Sequence, residues 1–166
     1  MAEVRFSVPI TTVKRMDRRG SVYLASDVSG YETMTWRGRW NTRAKRYHQW
    51  CQKVRVCALA AGFLKLPLPT RDGPVQVDVV CWFPAKRHPE PENVRKGIVD
   101  ALYYPRWVPM RRKLVVELAR VGHLDRFVYG RHGPAQYSTD HPRVEVRVTA
   151  GSTAKYAKNA KEEEGR

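Results

Sequence analysis

Val75, Val77, Val79, Cys81 and Phe83 are apolar at every second position, with Gln76 and Asp78 among the residues between them. That alternation predicts a strand over 75–83 with one face in a core and Asp78 on the other, and Pro84 ends it. Arg143-Val144-Glu145-Val146-Arg147-Val148 alternates in the same way and predicts a closing strand. A different period governs 42–61. There Tyr47, Trp50, Cys51, Val54, Cys57, Ala58 and Ala61 recur at helical spacing as one apolar stripe. Asn41 or Thr42 is suited to cap this helix and Gly62 to stop it, which leaves Arg43, Arg46, Lys53 and Arg55 for solvent or phosphate. A second helix is expected over 91–102. Proline suits its first position, and Val94, Ile98, Ala101 and Leu102 share one face. Arg5 to Pro9 and Phe127 to Tyr129 read as short strands, and Val22 to Leu24 carries a strand signal too short to stand alone. The stretch 114–121 leans to strand on Val115, Val116 and Val121. Residues 130–141 read as a loop or hairpin connection, and 151–166, small and polar, as a frayed tail.

Length and charge narrow the class. A chain of 166 residues fits one domain, placed here over 1–150, and is long enough for a real core. Hydrophobic residues make up 42% of it, which excludes a disordered polyelectrolyte. The formal net charge is +15, and the last sixteen residues carry four basic and three acidic groups, so the charge belongs to the body. A basic body with Trp and Tyr among its arginines suits a polyanion, because each phosphate it neutralises releases counterions. Three cysteines, Cys51, Cys57 and Cys81, form no C-x-x-C pair, so neither a disulfide framework nor a zinc site is expected. No apolar run is long enough to span a bilayer and the N-terminus does not read as a signal segment. The expectation is a soluble protein of a reducing, cytoplasmic compartment with no membrane partner.

Against that background, carboxylates gathered at one point need a reason. Glu90 and Glu92 stand two residues apart where the second helix begins. Pro91 pushes Glu90 out of the helical region. Glu92, Lys96 and Asp100 then fall at i, i+4 and i+8 and form an acid–base–acid column. Two readings of the column are open. In one, the acids complement the helix dipole and pair with Lys96 as ordinary surface ions. In the other, Glu90 and Glu92 hold Mg²⁺, which prefers oxygen ligands, and Lys96 steers a scissile phosphate. No Gly-rich phosphate loop and no Ser-His-Asp signature is present.

The stretch Phe83-Pro84, the basic link Lys86-Arg87, Glu90-Pro91-Glu92-Asn93-Val94-Arg95-Lys96 and then Asp100-Ala101-Leu102 resembles the core of the RusA family of Holliday junction resolvases. That family has a proline-ended strand, an arginine-rich link, Asp-x-Asp-Asn-x-x-Lys and a following Asp-Ala-Leu. Glutamates stand here at both motif aspartates. Downstream, His123-Leu124-Asp125-Arg126-Phe127-Val128 resembles the second half of the family's Asp-Asp-x-x-Val pattern, with Leu124 in place of its first acid. The resemblance is close over about thirty residues and loose elsewhere. It implies an α/β (α+β) fold, a small mixed, mainly antiparallel sheet packed against two helices. It also implies a homodimer and Mg²⁺-dependent paired nicking of four-way DNA junctions.

On this resemblance Glu90, Glu92 and Asp125 are the expected metal ligands and, with Lys96, the expected catalytic residues. Mn²⁺ is the alternative ion, and Asp100 is assigned first to structure. Lys86, Arg87, Arg95, Arg106, Arg111, Arg112 and Lys113 are the expected DNA contacts. The stretch holding Arg106, Trp107 and Arg111 to Lys113 reads equally as a junction-binding insertion or a packed hairpin. The function expected is an endonuclease serving recombination, repair or phage DNA processing in a bacterial or phage-infected cell. The alternative is a junction- or nucleic-acid-binding protein that has lost the chemistry, a reading that the glutamates and Leu124 permit.

Overall fold

The computed structural model describes residues 2–30, 42–103 and 124–151. Seven strands and two long helices lie among them: β1 (Ala2–Pro9), β2 (Thr12–Met16), β3 (Val22–Ser26), α1 (Thr42–Ala60), β4 (Val75–Phe83), α2 (Pro91–Tyr103), β5 (Val128–Tyr129), β6 (Gln136–Tyr137) and β7 (Arg143–Ala150). The fold is a small mixed α/β arrangement whose sheet is mainly antiparallel, as expected.

β4 organises the sheet. Its inward residues Val75, Val77, Val79, Cys81 and Phe83 are all buried, so the alternation read from the sequence marks the core face directly. β7 pairs with it antiparallel, Val77 opposite Val148 and Cys81 opposite Val144, and β1 pairs with β7 in turn. On its other side β4 takes β5 and β6 in parallel, one at each end. Between these two short strands the chain stays bound to β4. The Val79 amide donates to the Arg131 carbonyl at 2.9 Å, and the Gly133 amide to the Val79 carbonyl at 3.0 Å. Gly130 permits this approach, because a Cβ there would lie 1.8 Å from the Val77 carbonyl oxygen. The expected strand over 127–129 is corrected. Leu124–Phe127 is a turn of 3₁₀ helix and only Val128–Tyr129 pairs, because buried Leu124 pins the turn.

α1 packs on α2 and β1, and α2 packs on β4. The stripe expected on α1 holds for Tyr47, Trp50, Cys51, Val54 and Ala58, which are buried; Cys57 is half-buried and Ala61 is exposed. Arg55 is a correction. It was expected to face solvent or phosphate, yet it is 2% exposed and its Nε donates to the Ala101 carbonyl at 2.7 Å. Tyr47, Cys51 and Arg55 lie at i, i+4 and i+8, so Arg55 belongs to the same face as the apolar stripe. On α2, Val94, Ile98, Ala101 and Leu102 are buried as expected. Burying an aliphatic side chain of this size contributes about 1.5–3 kcal/mol.

The polar stretch after β1 contains a hairpin. β2 and β3 pair from Thr12 opposite Ser26 to Met16 opposite Val22. Asp17 caps its turn, accepting from the amides of Arg19 and Ser21, and Gly20 takes a φ of 82° there. The hairpin is tied to α1 through Asp27, which accepts from the Thr11 amide at 2.7 Å and pairs with Lys53 at 2.6 Å. All three cysteines are free thiols. Among the described residues no helix is long and apolar enough to cross a membrane. The readings for 31–41, 104–123 and 152–166, including the strand at 114–121 and the tail, fall outside the described residues.

Candidate functional site

The acidic motif is placed by the link between β4 and α2. β4 ends at Phe83, and His88 stacks on the Phe83 ring with centroids 3.9 Å apart and planes within 4°. The His88 ring nitrogens are both engaged, Nδ1 with the Pro89 carbonyl at 2.8 Å and Nε2 with the Tyr137 hydroxyl at 3.0 Å. Gly30 lies against Pro89 and Asn93, where a Cβ would come within 3.2 Å of both side chains. The link is thus held by β4, β6 and the segment after β3. His88 acts as a packed strut in it.

Glu90 follows as the residue before the helix. Its carbonyl accepts the first helical hydrogen bond, from the Val94 amide at 3.0 Å, while its side chain is exposed. Pro91 then occupies the first helical position, where a missing N–H costs nothing. Glu92 sits in the first turn and pairs with Lys96 one turn on, at 2.9 Å, with both side chains about half open to solvent. The hydrogen bond and charge of Lys96 hold the Glu92 carboxyl below its ordinary range. The Glu92–Lys96 step of the expected column is therefore present as an ion pair.

The third member, Asp100, lies deeper. Its Oδ2 accepts from the Tyr47 hydroxyl at 2.8 Å, across the α1–α2 interface. Burial raises the Asp100 carboxyl to about 6; the Tyr47 hydrogen bond opposes that rise, the charge of Asp125 adds to it, and Arg55 works against it. Asp125 stands in the 3₁₀ turn that packs on α2, anchored by Leu124. Its Oδ1 is buried and makes no hydrogen bond. Two carboxylates from distant parts of the sequence therefore sit within each other's field, one of them with a buried lone oxygen. Buried acceptors are almost always satisfied, so an orphaned one marks a place that wants a proton, a donor or a cation.

The site residues read from the sequence fall into three groups. Glu92 and Lys96 are brought together, and Asp125 is brought to Asp100. Glu90, Glu92 and Asp125 do not form a cage: among the described residues no three His, Cys, Asp or Glu side chains gather as an ion-holding group. Of the expected DNA contacts, Lys86 and Arg87 are exposed, and Arg95 is half-buried with its Nε enclosed and unpaired. Arg106, Arg111, Arg112 and Lys113 lie outside the described residues. Asp78 is occupied by Arg147 at 2.8 Å, by Gln76 and by the Arg131 amide, so it is a structural acid of the open sheet face.

Two residues of this region were not read as part of it from the sequence, Tyr47 and Arg55. The i+4 relation of Arg55 to Cys51 was the available signal, since a lone arginine on an apolar stripe needs a partner behind it. No protein-family model matches the chain, and no curated protein matches it.

Proposed function

We propose that this chain is a metal-dependent endodeoxyribonuclease acting on branched DNA, the four-way junction above all. It would act as a homodimer in the cytoplasm of a bacterial or phage-infected cell. One observation carries the reading: the Glu92-Lys96-Asp100 column on α2, with Asp125 docked beside it and its Oδ1 unsatisfied, inside a body of charge +15. A basic nucleic-acid-binding surface repels nothing by having acids in it, but acids at the point of contact repel phosphate. Their presence there makes sense where a cation stands between the two.

The donor set fits a hard divalent ion. All the candidate ligands are carboxylate oxygens, and Mg²⁺ is commonly held by one or two carboxylates together with substrate phosphates and water. A three-carboxylate cage is not required. Glu90 and Glu92 are the residues that would hold Mg²⁺ or Mn²⁺ together with substrate phosphate and water, while Asp125, expected from the sequence as a third ligand, is placed with Asp100. When bound, such an ion offsets charge on the phosphoryl oxygens and activates water. The chain's own part is positional. Tyr47 fixes Asp100, Leu124 fixes Asp125, and the His88 strut fixes the turn that carries Glu90. Lys96 is freed from Glu92 when a phosphate competes for it. Lys86, Arg87 and Arg95 supply positive charge beside the acids.

The test is cleavage of a synthetic four-way junction with and without Mg²⁺. Glu92→Gln should bind the junction at least as well as the wild type does and leave it uncut. Cleavage by that variant at the wild-type rate overturns the assignment. A second reading, junction or nucleic-acid binding without chemistry, is favoured by the closed Glu92–Lys96 pair and by the lack of a three-acid group among the described residues. Tight junction binding by a wild type that never cuts, in either Mg²⁺ or Mn²⁺, selects it.

A further inference from the structure

A concave surface lies on the hairpin side of the motif. It is a cleft of about 340 Å³ between the β2–β3 hairpin, the start of α1 and the β4–α2 link, and Arg15, Arg46 and Arg87 line it together with Tyr23, His88 and Pro89. None of the described residues lining it is acidic. The arginines are placed by fixed contacts. Arg15 donates to the Ser26 carbonyl at 3.2 Å, and the Arg87 guanidinium lies 4.5 Å from the centre of the Tyr23 ring. Arg46 comes from the first turns of α1, close enough for its charge, after burial, to push the Arg15 guanidinium down. Asp27, whose charge acts on Arg15 in the opposite sense, lies outside the cleft lining and is itself bound to Lys53 and the Thr11 amide.

Like charges converging on a hollow repel one another, and an anion relieves that cost. Guanidinium groups match phosphate oxygens in geometry as well as charge. We propose that this cleft seats a phosphate group of a nucleic-acid strand, with Arg15, Arg46 and Arg87 as its cationic contacts. The proposal rests on the nucleic-acid reading above and deepens it. Pro89 lines the cleft and Glu90 is the next residue, so a strand held here runs directly onto the acidic motif. A second hollow, of about 370 Å³, shares Arg15 and Arg46 and adds Lys14 with the Lys53–Asp27 pair, so its lining stays net positive along α1.

The experiment is fluorescence anisotropy in EDTA, so that binding is read apart from cleavage. The probes are a labelled single strand of about 30 nucleotides, with and without a 5′-phosphate, and an immobile four-way junction. Affinity is followed from low to moderate salt. Removing two of the three cations that hold the phosphate in Arg15→Gln/Arg46→Gln should flatten the plot of log K against log salt by about 0.7 on the single strand and about 0.9 on the junction, the value of one phosphate. Lys65→Gln/Arg71→Gln, two exposed cations outside the cleft, should change it by less than half as much. Equal slopes for the two double variants overturn the proposal. If the first double variant does not melt like the wild type, Arg87→Gln, whose side chain is exposed, should by itself flatten the plot in the same direction, by up to about 0.7–0.9; no change in it overturns the proposal. A preference for the 5′-phosphorylated strand that Arg15→Gln/Arg46→Gln removes identifies a strand end as the occupant. Equal loss on both strands identifies an internal phosphodiester. Cleavage of the same junction in Mg²⁺ is scored separately, so a wild type that binds through the cleft but never cuts sinks the nuclease reading alone.

Discussion

Asp100→Asn should stabilise the metal-free protein above neutrality and leave it unchanged in acid. Asp100 is partly enclosed between the two helices, and its carboxyl sits at about 6 against an ordinary 3.8. Two pH units at about 1.36 kcal/mol each give a ceiling of about 3 kcal/mol. Because the group is still partly open to water, about 1.5–2.5 kcal/mol is the fairer expectation. The sign follows from proton binding. The folded carboxyl holds its proton more tightly than the unfolded one, so this stabilising contribution is complete below 3.8 and is lost as pH rises through about 6. Asparagine imitates the protonated form at every pH. Its carbonyl oxygen still accepts from Tyr47, whose hydroxyl is kept protonated by burial. Urea unfolding of both proteins in EDTA, across this pH range, isolates the effect by subtraction, since most other groups titrate equally in both. The difference should start near zero, grow between about 4 and 6 and then level off. A difference that stays flat, or a variant less stable than the wild type at neutral pH, refutes the idea that Asp100 is held against its own charge.

Other expectations follow from single contacts. Arg55→Met removes the buried guanidinium from the Ala101 carbonyl and from the field of Asp100. It should cost about 1.5–3 kcal/mol at neutral pH by urea unfolding, the value of a hydrogen bond from a charged donor, and less in acid, where Asp100 is neutral. Tyr47→Phe should cost about 1.5–3 kcal/mol at neutral pH, the value of a hydrogen bond to a charged group. Gly130→Ala places a methyl against the Val77 carbonyl, so about 3 kcal/mol or more should be lost, with faster amide exchange over 128–133. Burial pushes the Cys51 and Cys81 thiols up to about 12, and Cys57 is raised but only half-buried. Alkylation of the native protein near pH 8 should therefore label Cys57 first, as peptide mapping will show.

The parts legible in the sequence are those where burial imposes a period. β4 and β7 alternate because one face of each is sealed by the helices, and α2 begins at Pro91 because proline suits that position and nothing inside the helix. The β2–β3 hairpin carried no such signal. Val13, Arg15, Tyr23 and Ala25 are only partly buried, so β2 shows no clean alternation and β3 offers only the short apolar run from Val22 to Leu24. The parallel docking of 128–137 along β4 depends on one close approach at Gly130, which no local pattern announces. The same division runs through the site. Spacing on a single helix was enough to align Glu92, Lys96 and Asp100. The pairing of Asp100 with Asp125 and with Tyr47 joins three separate elements, so it exists only after folding.

The two signs of charge on this surface bear on each other. Arg15, Arg46 and Arg87 line the cleft together with Pro89, and the acidic Glu90 is the residue that follows Pro89. A strand drawn into the cleft is brought by that attraction toward carboxylates that repel it, and over a few ångströms at a partly desolvated surface neither force is negligible. The repulsion falls when the acids are neutralised by a cation. Divalent ion should therefore tighten DNA binding by the wild type, although added salt of any kind screens the arginines and loosens it. Glu90→Gln/Glu92→Gln should bind tightly without the ion and gain nothing from it. Anisotropy titrations at constant ionic strength, with Mg²⁺ exchanged against Na⁺, separate the two effects. If Mg²⁺ weakens wild-type binding as much as it weakens that of the double variant, the carboxylates do not meet the ion and the bound strand at one place, and the acidic column is an ordinary helix surface.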